Sequence, residues 1–411
     1  GNQKTVGYYD YLQLINTGAV MNYAFGDTTK GDYAYESAPN STDLTWETVI
    51  TKNIGLDLGF LNNRLNVSFD AYIRDTKDML MAGKTLPGVY GASSPRMNVA
   101  DLRTKGWEAS VTWGDSFTLA SKPFNYRIMA GIGDNTSKVT KYDNPNRTLT
   151  DPYEGQQLGE IWGYVVDGYF KTDEEARNYK VDQSFVNQMI NASALDNGLH
   201  AGDLKFVDLD GNNKIEQTTS ANDRKDMKVI GNSLPRYNYN FGISADWYGI
   251  DFSVLFQGIG KQNWYPGAET SMFWGPYSRP YASFIPSDFM SQVWSEENTN
   301  AYFPHPRGYV ALGSNRELAV VNTKYLQNLA YCRLKNLSIG YTLPDKWLSK
   351  IGFEKIRVYF SGENLLTFTK LHSDYIDPEQ ASASNSWKTS KSDANIYPWA
   401  KTYSFGVDIT F

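Results

Sequence analysis

Cysteine is nearly absent. The single Cys332 excludes a disulfide framework, and its place in the strand-like run LAYCRLKN reads as that of a small buried residue. Only three histidines occur (His200, His305, His372), scattered without the spacing of metal ligands. No G-x-S-x-G elbow or P-loop occurs, and the Gly131-Ile-Gly133 and Gly258-Ile-Gly260 pairs lack a third glycine and a following helix. Adjacent acids such as Glu296-Glu297 fall in loops, where solvation suits them better than acid–base work. An enzyme is therefore not expected. No run of about 18 apolar residues exists, which excludes transmembrane helices but leaves membrane strands open, since those carry apolar residues only at alternate positions. The net charge of −6 argues against a nucleic-acid partner. The opening GNQKT is no signal peptide, so either a leader was cleaved or a longer chain precedes it.

What is abundant is alternation. In YNYNFGISADWYGIDFSVLFQGI, Tyr237, Tyr239, Phe241, Ile243, Ala245 and Trp247 alternate with small or polar residues. The parity flips after Tyr248-Gly249, and Ile250, Phe252, Val254 and Phe256 continue the apolar face. A two-residue turn at Tyr248-Gly249 pairs residues whose numbers sum to 497, so Trp247 meets Ile250 and Phe241 meets Phe256. A second hairpin turns at Asn62-Asn63, setting Phe60 against Leu65 and Leu58 against Val67. Further strands are expected at Tyr8–Ile15, Trp107–Trp113, Phe124–Gly133, Leu158–Phe170, Leu329–Leu343, Ile356–Phe360 and Tyr403–Phe411, with a short helix within Glu174–Ile190. That makes about eleven strands and no βαβ unit: an all-β, antiparallel chain.

The strands are joined unequally. Tight turns contrast with long connections at about 171–235 and 261–328, an asymmetry of transmembrane β-barrels with short periplasmic turns and long outer loops. The apolar faces are free of charge for about 9–11 residues, enough to cross a bilayer at a tilt. Aromatic residues make up 15% of the chain, with 29 Tyr and 11 Trp, which suits interfacial girdles or a sugar-binding surface. The alternation by itself also permits a soluble secreted all-β glycan-binding module.

Two loop motifs are candidate sites. Asp208-Leu-Asp210-Gly-Asn212-Asn213-Lys-Ile-Glu216 reads as the first nine positions of a calcium loop, offering oxygens from Asp208, Asp210, Asn212 and Glu216 to Ca²⁺ or Mg²⁺. Asn213 replaces the usual glycine, and Thr219 replaces the final glutamate, for which Asp223 would have to substitute. The competing reading is a polar turn. The aromatic loop Trp264, Tyr265, Phe273, Trp274, Tyr277 and Tyr281 is a candidate ligand platform, able to stack on sugar rings or peptide side chains, or else to pack the loops together.

Long segments carry a resemblance. LTWETVITKNIGLDLGFLNNRLNVSFDAYIRDTKDML, LRTKGWEASVTW, GDLKFVDLDGNNKI, VIGNSLPRYNYNFG, VWSEENTNAYFP, YCRLKNLSIGYTLP and the closing SFGVDITF resemble, in order, the SusC-type (RagA/SusC-like) TonB-dependent outer-membrane transporters. The resemblance implies that residues 1–411 are the C-terminal part of a larger plugged barrel of about 22 strands, with the plug and first strands lying outside this sequence. It further implies an outer-membrane location in a Gram-negative, Bacteroidetes-like cell. The implied activity is import of an oligosaccharide or peptide with a SusD-like lipoprotein, energised by TonB through the plug, in a dimer of SusC–SusD pairs. Phe411 matches the terminal aromatic that barrel-assembly machinery reads in this family.

Overall fold

A chain whose apolar residues fall on one side of every strand needs a register that keeps them there, and the computed structural model supplies it. The structure describes residues 12–18, 33–37, 39–41, 44–84, 86–187, 198–278, 285–306, 312–313, 316–348, 352–381, 391–392 and 397–411. Nine strands form its main sheet: β1 (Thr48–Phe60), β2 (Leu65–Ala82), β3 (Arg96–Leu119), β4 (Lys122–Lys141), β5 (Arg236–Trp247), β6 (Ile250–Lys261), β7 (Tyr331–Thr342), β8 (Lys355–Thr369) and β9 (Thr402–Thr410). They lie side by side in chain order, so every neighbour in sequence is a neighbour in the sheet. No helix of the described residues is long and apolar enough to cross a membrane, which says nothing about crossing by strands.

The turns alternate in length as expected. Tyr248 and Gly249 have φ of 49° and 84°, the two positive values that a tight hairpin turn requires. The pairs Trp247↔Ile250, Ala245↔Phe252, Ile243↔Val254 and Phe241↔Phe256 all form. At the other anticipated hairpin, Leu61, Asn62 and Asn63 all take positive φ, and the Arg64 N–H donates to the Leu61 carbonyl at 3.3 Å. A third tight turn, at Ala120-Ser121 with φ of 49° and 61°, joins β3 to β4. The opposite strand ends are joined by residues 83–95, 142–235, 262–330 and 370–401.

Two of the eleven anticipated strands are not in this sheet. Leu158–Phe170 breaks into Glu160–Tyr164, paired with Met227–Asn232, and Val166–Tyr169, paired with Leu204–Phe206. Ile161, Tyr164 and Tyr169 are buried, so this segment belongs to a loop core rather than to an alternating wall. Of Tyr8–Ile15, residues 8–11 lie outside the described residues, and Ile15 opens a short Ile15–Gly18 strand paired with Tyr33–Glu36. The helix anticipated within Glu174–Ile190 is one short turn, Asp173–Arg177, whose N-cap Thr172 hydroxyl accepts the Glu175 N–H at 3.1 Å. Residues 188–190 lie outside the described residues.

The chain comprises two compact units. One contains Gly1–Asn53, Tyr72–Lys105 and Thr136–Gln157. Its strand segments are tied by an Arg103–Asp75 fork (2.6 and 3.0 Å), a Lys77–Asp101 pair at 3.7 Å and a Thr104–Ser137 hydroxyl contact at 2.7 Å. The other contains Ile54–Ala71, Gly106–Asn135 and Leu158–Phe411. Its buried core is in the connections rather than against the sheet: Ile161, Leu204, Phe206, Trp264, Trp274 and Tyr325 are all closed to solvent. Every residue of β1 is exposed, and β9 is exposed at all but one position.

Candidate functional site

The two faces of the sheet define the site. Register carries one apolar row, Phe124, Trp247, Ile250, Tyr341, Val358 and Val407, straight across β4 to β9. A second row, Tyr126, Ala245, Phe252, Ile339, Phe360 and Phe405, lies beside it. Nothing among the described residues covers this face: Ile128, Ile243, Ile250, Ile339, Phe405 and Val407 remain exposed. An apolar band of this extent is far beyond what a soluble surface leaves uncovered.

The opposite face is polar in the same register. Arg127, Ser244, Ser253, Ser338, Ser361 and Ser404 form one row. One step nearer the tight turns lie Asn125, Asp246 and Asp251, with the Asn125 amide donating to Asp246 at 2.7 Å. Arg357 of β8 reaches across β7 to grip Asp251 of β6 with two bonds, 2.8 and 2.6 Å, and also meets Asp408 at 3.2 Å. The reach depends on Gly340, because a Cβ there would lie 2.5 Å from the Asp251 carboxylate and 2.6 Å from the guanidinium. Arg236 forks onto Asp134 in the same manner. Asp251, Arg357, Asp134 and Arg236 are thus paired within the wall by forked, charge-assisted bonds.

A bulge at Lys335 breaks the β7 register: Leu255 faces Asn336 but Phe256 faces Leu334. Beyond it, Arg333 extends from the row of Asn240 and Gln257 and is almost fully buried. It donates to Asp377 and Glu379, both at 2.6 Å, and to Thr367 at 3.0 Å, while Lys335 meets Glu379 at 2.8 Å. This clasp fixes the start of the 370–401 connection to the wall. No feature of the local sequence marks Arg333, since its carboxylate partners arrive from more than forty residues away.

In the acidic loop, Asp208 accepts N–H bonds from Gly211 and Asn213, both at 2.7 Å, and Asn213 takes the positive φ of 62°. Burial alone would raise the Asp208 carboxyl, but the N–H groups of Asn213, Gly211 and Asn212 outweigh it and hold it below the usual range. Asp208 and Asp210 converge with Asp226, their carboxylates within 4.8 Å of one another. Asp226 was not among the anticipated ligands. It is closed to solvent, accepts the N–H groups of Leu209 (2.8 Å) and Glu216 (2.7 Å), and has its carboxyl pushed up by burial and by Asp210 and Asp208. Lys225 pairs with both Glu216 and Asp223, at 3.5 and 3.6 Å, and holds Glu216 below its usual range. Asn212 hydrogen-bonds Asp210 and Glu216 at 3.1 and 3.2 Å. Among the acidic side chains, the carboxylates that the fold brings together are thus Asp208, Asp210 and Asp226, hard oxygen donors of the kind a divalent cation takes.

The aromatic loop requires a correction. Trp264, Tyr265, Phe273, Trp274 and Tyr277 are buried to the last few per cent and pack with Phe303 and Tyr325. Stacking on a solute needs an open ring face, and none of these five offers one. Their polar ends are also used, the Tyr265 hydroxyl on the Leu318 carbonyl and the Trp274 indole on the Gly267 carbonyl. Tyr281 lies outside the described residues. Beside this core, His372 stacks on Tyr302 at 3.5 Å between ring centres and bonds Gln292 at 2.8 Å. Burial pulls its imidazole below the ordinary value, opposed by Asp374 and reinforced by Lys324.

Comparison with known proteins agrees with this geometry. Residues 8–365 match the family model described as "TonB dependent receptor-like, beta-barrel". "TonB-dependent receptor P3" of Formosa agariphila is 28% identical over 388 residues, which is 90% of this chain and 34% of that protein. "TonB-dependent receptor SusC" of Bacteroides thetaiotaomicron is 24% identical over 416 residues, 100% of this chain and 36% of the relative. Among solved structures, that of the RagAB peptide importer in its open-open state superposes with a TM-score of 0.68 at 22% identity, over 99% of this chain and 38% of the other. The closed-closed state gives 0.64 at 21% identity, over 98% and 39%. The chain therefore spans between 34% and 39% of the lengths of these proteins.

Proposed function

This chain belongs to the TonB dependent receptor-like, beta-barrel family, and from that membership we propose that it forms part of the wall of an importer energised through TonB and served by a SusD-like surface lipoprotein. It is an outer-membrane protein and not an enzyme: its work is to hold a passage, not to break a bond. The observation that carries the proposal is the shared register, which sets apolar rows on one face and paired charges and hydroxyls on the other across six adjacent strands. Lipid suits the first face and a wet lumen the second.

Among the described residues β1 and β9 each have a partner on one side only, and an open strand edge is not tolerated in hydrocarbon. Further strands of a larger barrel would satisfy both edges, in keeping with the share of its relatives that this chain spans. As to cargo, RagAB is a peptide importer, whereas a glycan would ask for open aromatic faces. The five aromatic side chains best suited to that task are buried, which favours a peptide.

The test is uptake by cells carrying the complete transporter and its surface lipoprotein. Labelled peptides should enter only when TonB is present, and the protein should leave the outer membrane only with detergent. Uptake indifferent to TonB, or a chain that is soluble without detergent, would overturn the reading.

A further inference from the structure

Away from the tight turns, the apolar face of the sheet gives way to cations. On β1 the apolar alternation from Phe60 to Ile54 is followed, two residues on, by Lys52. On β2 the alternation from Val67 to Ile73 is followed by Asp75 and Lys77. On β3 the alternation from Trp113 to Trp107 is followed by Lys105, Arg103 and Asp101. Two contacts fix the side on which the β3 residues lie. The Trp113 indole donates at 2.9 Å to the hydroxyl of Tyr126, a member of the apolar rows. The Thr104 and Ser137 hydroxyls meet at 2.7 Å, which turns their neighbours Arg103, Lys105 and Lys138 to the opposite side, that of the apolar rows.

Depth along the strand identifies what these cations meet. At about 3.4 Å per residue and a tilt near 40°, Lys52 and Lys105 stand roughly 5 Å beyond the last apolar side chain of their strands, and Lys77 and Arg103 roughly 10 Å. The headgroup layer is itself roughly 5–7 Å deep on each side of the hydrocarbon. Tight turns are periplasmic in such barrels, so this end of the strands belongs to the outer leaflet. Internal pairing does not use the cations up. Arg103 gives only Nε and Nη2 to Asp75 and stays 48% exposed, and Lys77, 3.7 Å from Asp101, stays 50% exposed. Lys52, Lys105 and Lys138 are exposed and form no ion pair among the described residues. A cleft of about 200 Å³, lined by residues 75–77, 101–103 and Thr140, opens among these charges. A guanidinium and a hydroxyl beside it are donors suited to phosphate oxygens.

We propose that this edge of the wall binds the phosphate of an outer-leaflet lipid headgroup, with Arg103 as donor and Lys52, Lys77, Lys105 and Lys138 as counter-charges. The lipid's acyl chains would then lie along the apolar rows that continue below. The proposal rests on the lipid-facing reading of those rows and is independent of the cargo. It is tested on the complete transporter, purified in a nonionic detergent, by native mass spectrometry of the lipid it retains. One probe is monophosphorylated lipid A. The other is the same lipid A stripped of its phosphate.

The wild type should prefer the phosphorylated form about tenfold, since each lysine or arginine near an anionic headgroup layer is worth about a fivefold factor. Replacing Lys52, Lys105 and Lys138 together by Gln should bring the preference down to about twofold. All three are exposed and outside ion pairs among the described residues, so this variant should fold, which its mobility on unheated gels checks. Arg74→Gln with Lys141→Gln removes two cations whose positions alternate to the opposite face, and should leave the preference as it is. An unchanged preference in the triple variant overturns the proposal. So does an equal loss in the two variants, or full displacement of the lipid by inorganic phosphate. Equal retention of both probes by the wild type overturns this proposal and leaves the lipid-facing reading standing, whereas retention of neither overturns both.

Discussion

Replacing Val254 with arginine separates lipid from lumen with a single side chain. Val254 lies level with Ile128, Ile243 and Leu337, four residues beyond the Ile250 end of its strand. At about 3.4 Å per residue and a tilt near 40°, that is roughly 10 Å of depth in an apolar band about 25 Å tall, close to the midplane. An arginine there should cost about 2–4 kcal/mol of folding free energy. Since about 1.4 kcal/mol is a factor of ten, the folded fraction at the wild-type midpoint should fall by more than tenfold. Ser253, one residue away, points to the other face, in the row that already contains Arg127. Ser253→Arg should therefore stay within about 0.5 kcal/mol of the wild type, as surface substitutions usually do. The assay is a urea titration of the complete barrel in lipid vesicles, with folded and unfolded forms separated by their different mobility on unheated gels. Equal midpoints for the two variants would refute the assignment of faces.

Other expectations follow from particular contacts. Arg333→Met strips the buried Asp377 of its partner and should cost about 3–5 kcal/mol, read as earlier proteolysis of the 370–401 connection on heating. Gly340→Val places a side chain between Asp251 and Arg357 and should cost about 1–3 kcal/mol of folding free energy, read as a lower urea midpoint, despite valine's preference for strands. Calcium should protect the 208–226 loop from proteolysis, and Asp226→Asn should remove that protection while Asp223→Asn leaves it. The lowered His372 imidazole makes the unfolded chain bind the proton more readily. Stability of the outer connections should thus be full above about pH 6.5 and decline as pH falls through the lowered value, and His372→Gln should flatten that part of the profile.

The sheet was largely legible because its signals are local. Period-two alternation and a turn such as Tyr248-Gly249, which needs positive φ, fix the same register independently, and the observed pairs sum to 497 along most of the hairpin. Registers that depend on a third strand were not legible: the bulge at Lys335 shows only when β6, β7 and β8 are aligned. Leu158–Phe170 misled because an apolar run buried on both faces in a loop core resembles a wall strand. The aromatic loop misled for a chemical reason. Tryptophan and tyrosine that stack on sugars are the same residues that fill a core, and sequence spacing does not tell the two apart. In the acidic loop Asp208 and Asp210 were visible, but Asp226 joins them through the fold and lies beyond the motif's spacing.

The central claim is that alternate residues of β6 face lipid and lumen. It is tested most directly by introducing single cysteines at residues 250–256 of the complete transporter, after Cys332→Ser removes the native thiol, and labelling intact outer membranes with a lipid-soluble maleimide and with a charged, water-borne one. Positions 251 and 253 should react with the charged reagent, and 250, 252, 254 and 256 with the lipid-soluble one. Labelling without alternation, or with the two sets exchanged, would contradict the account.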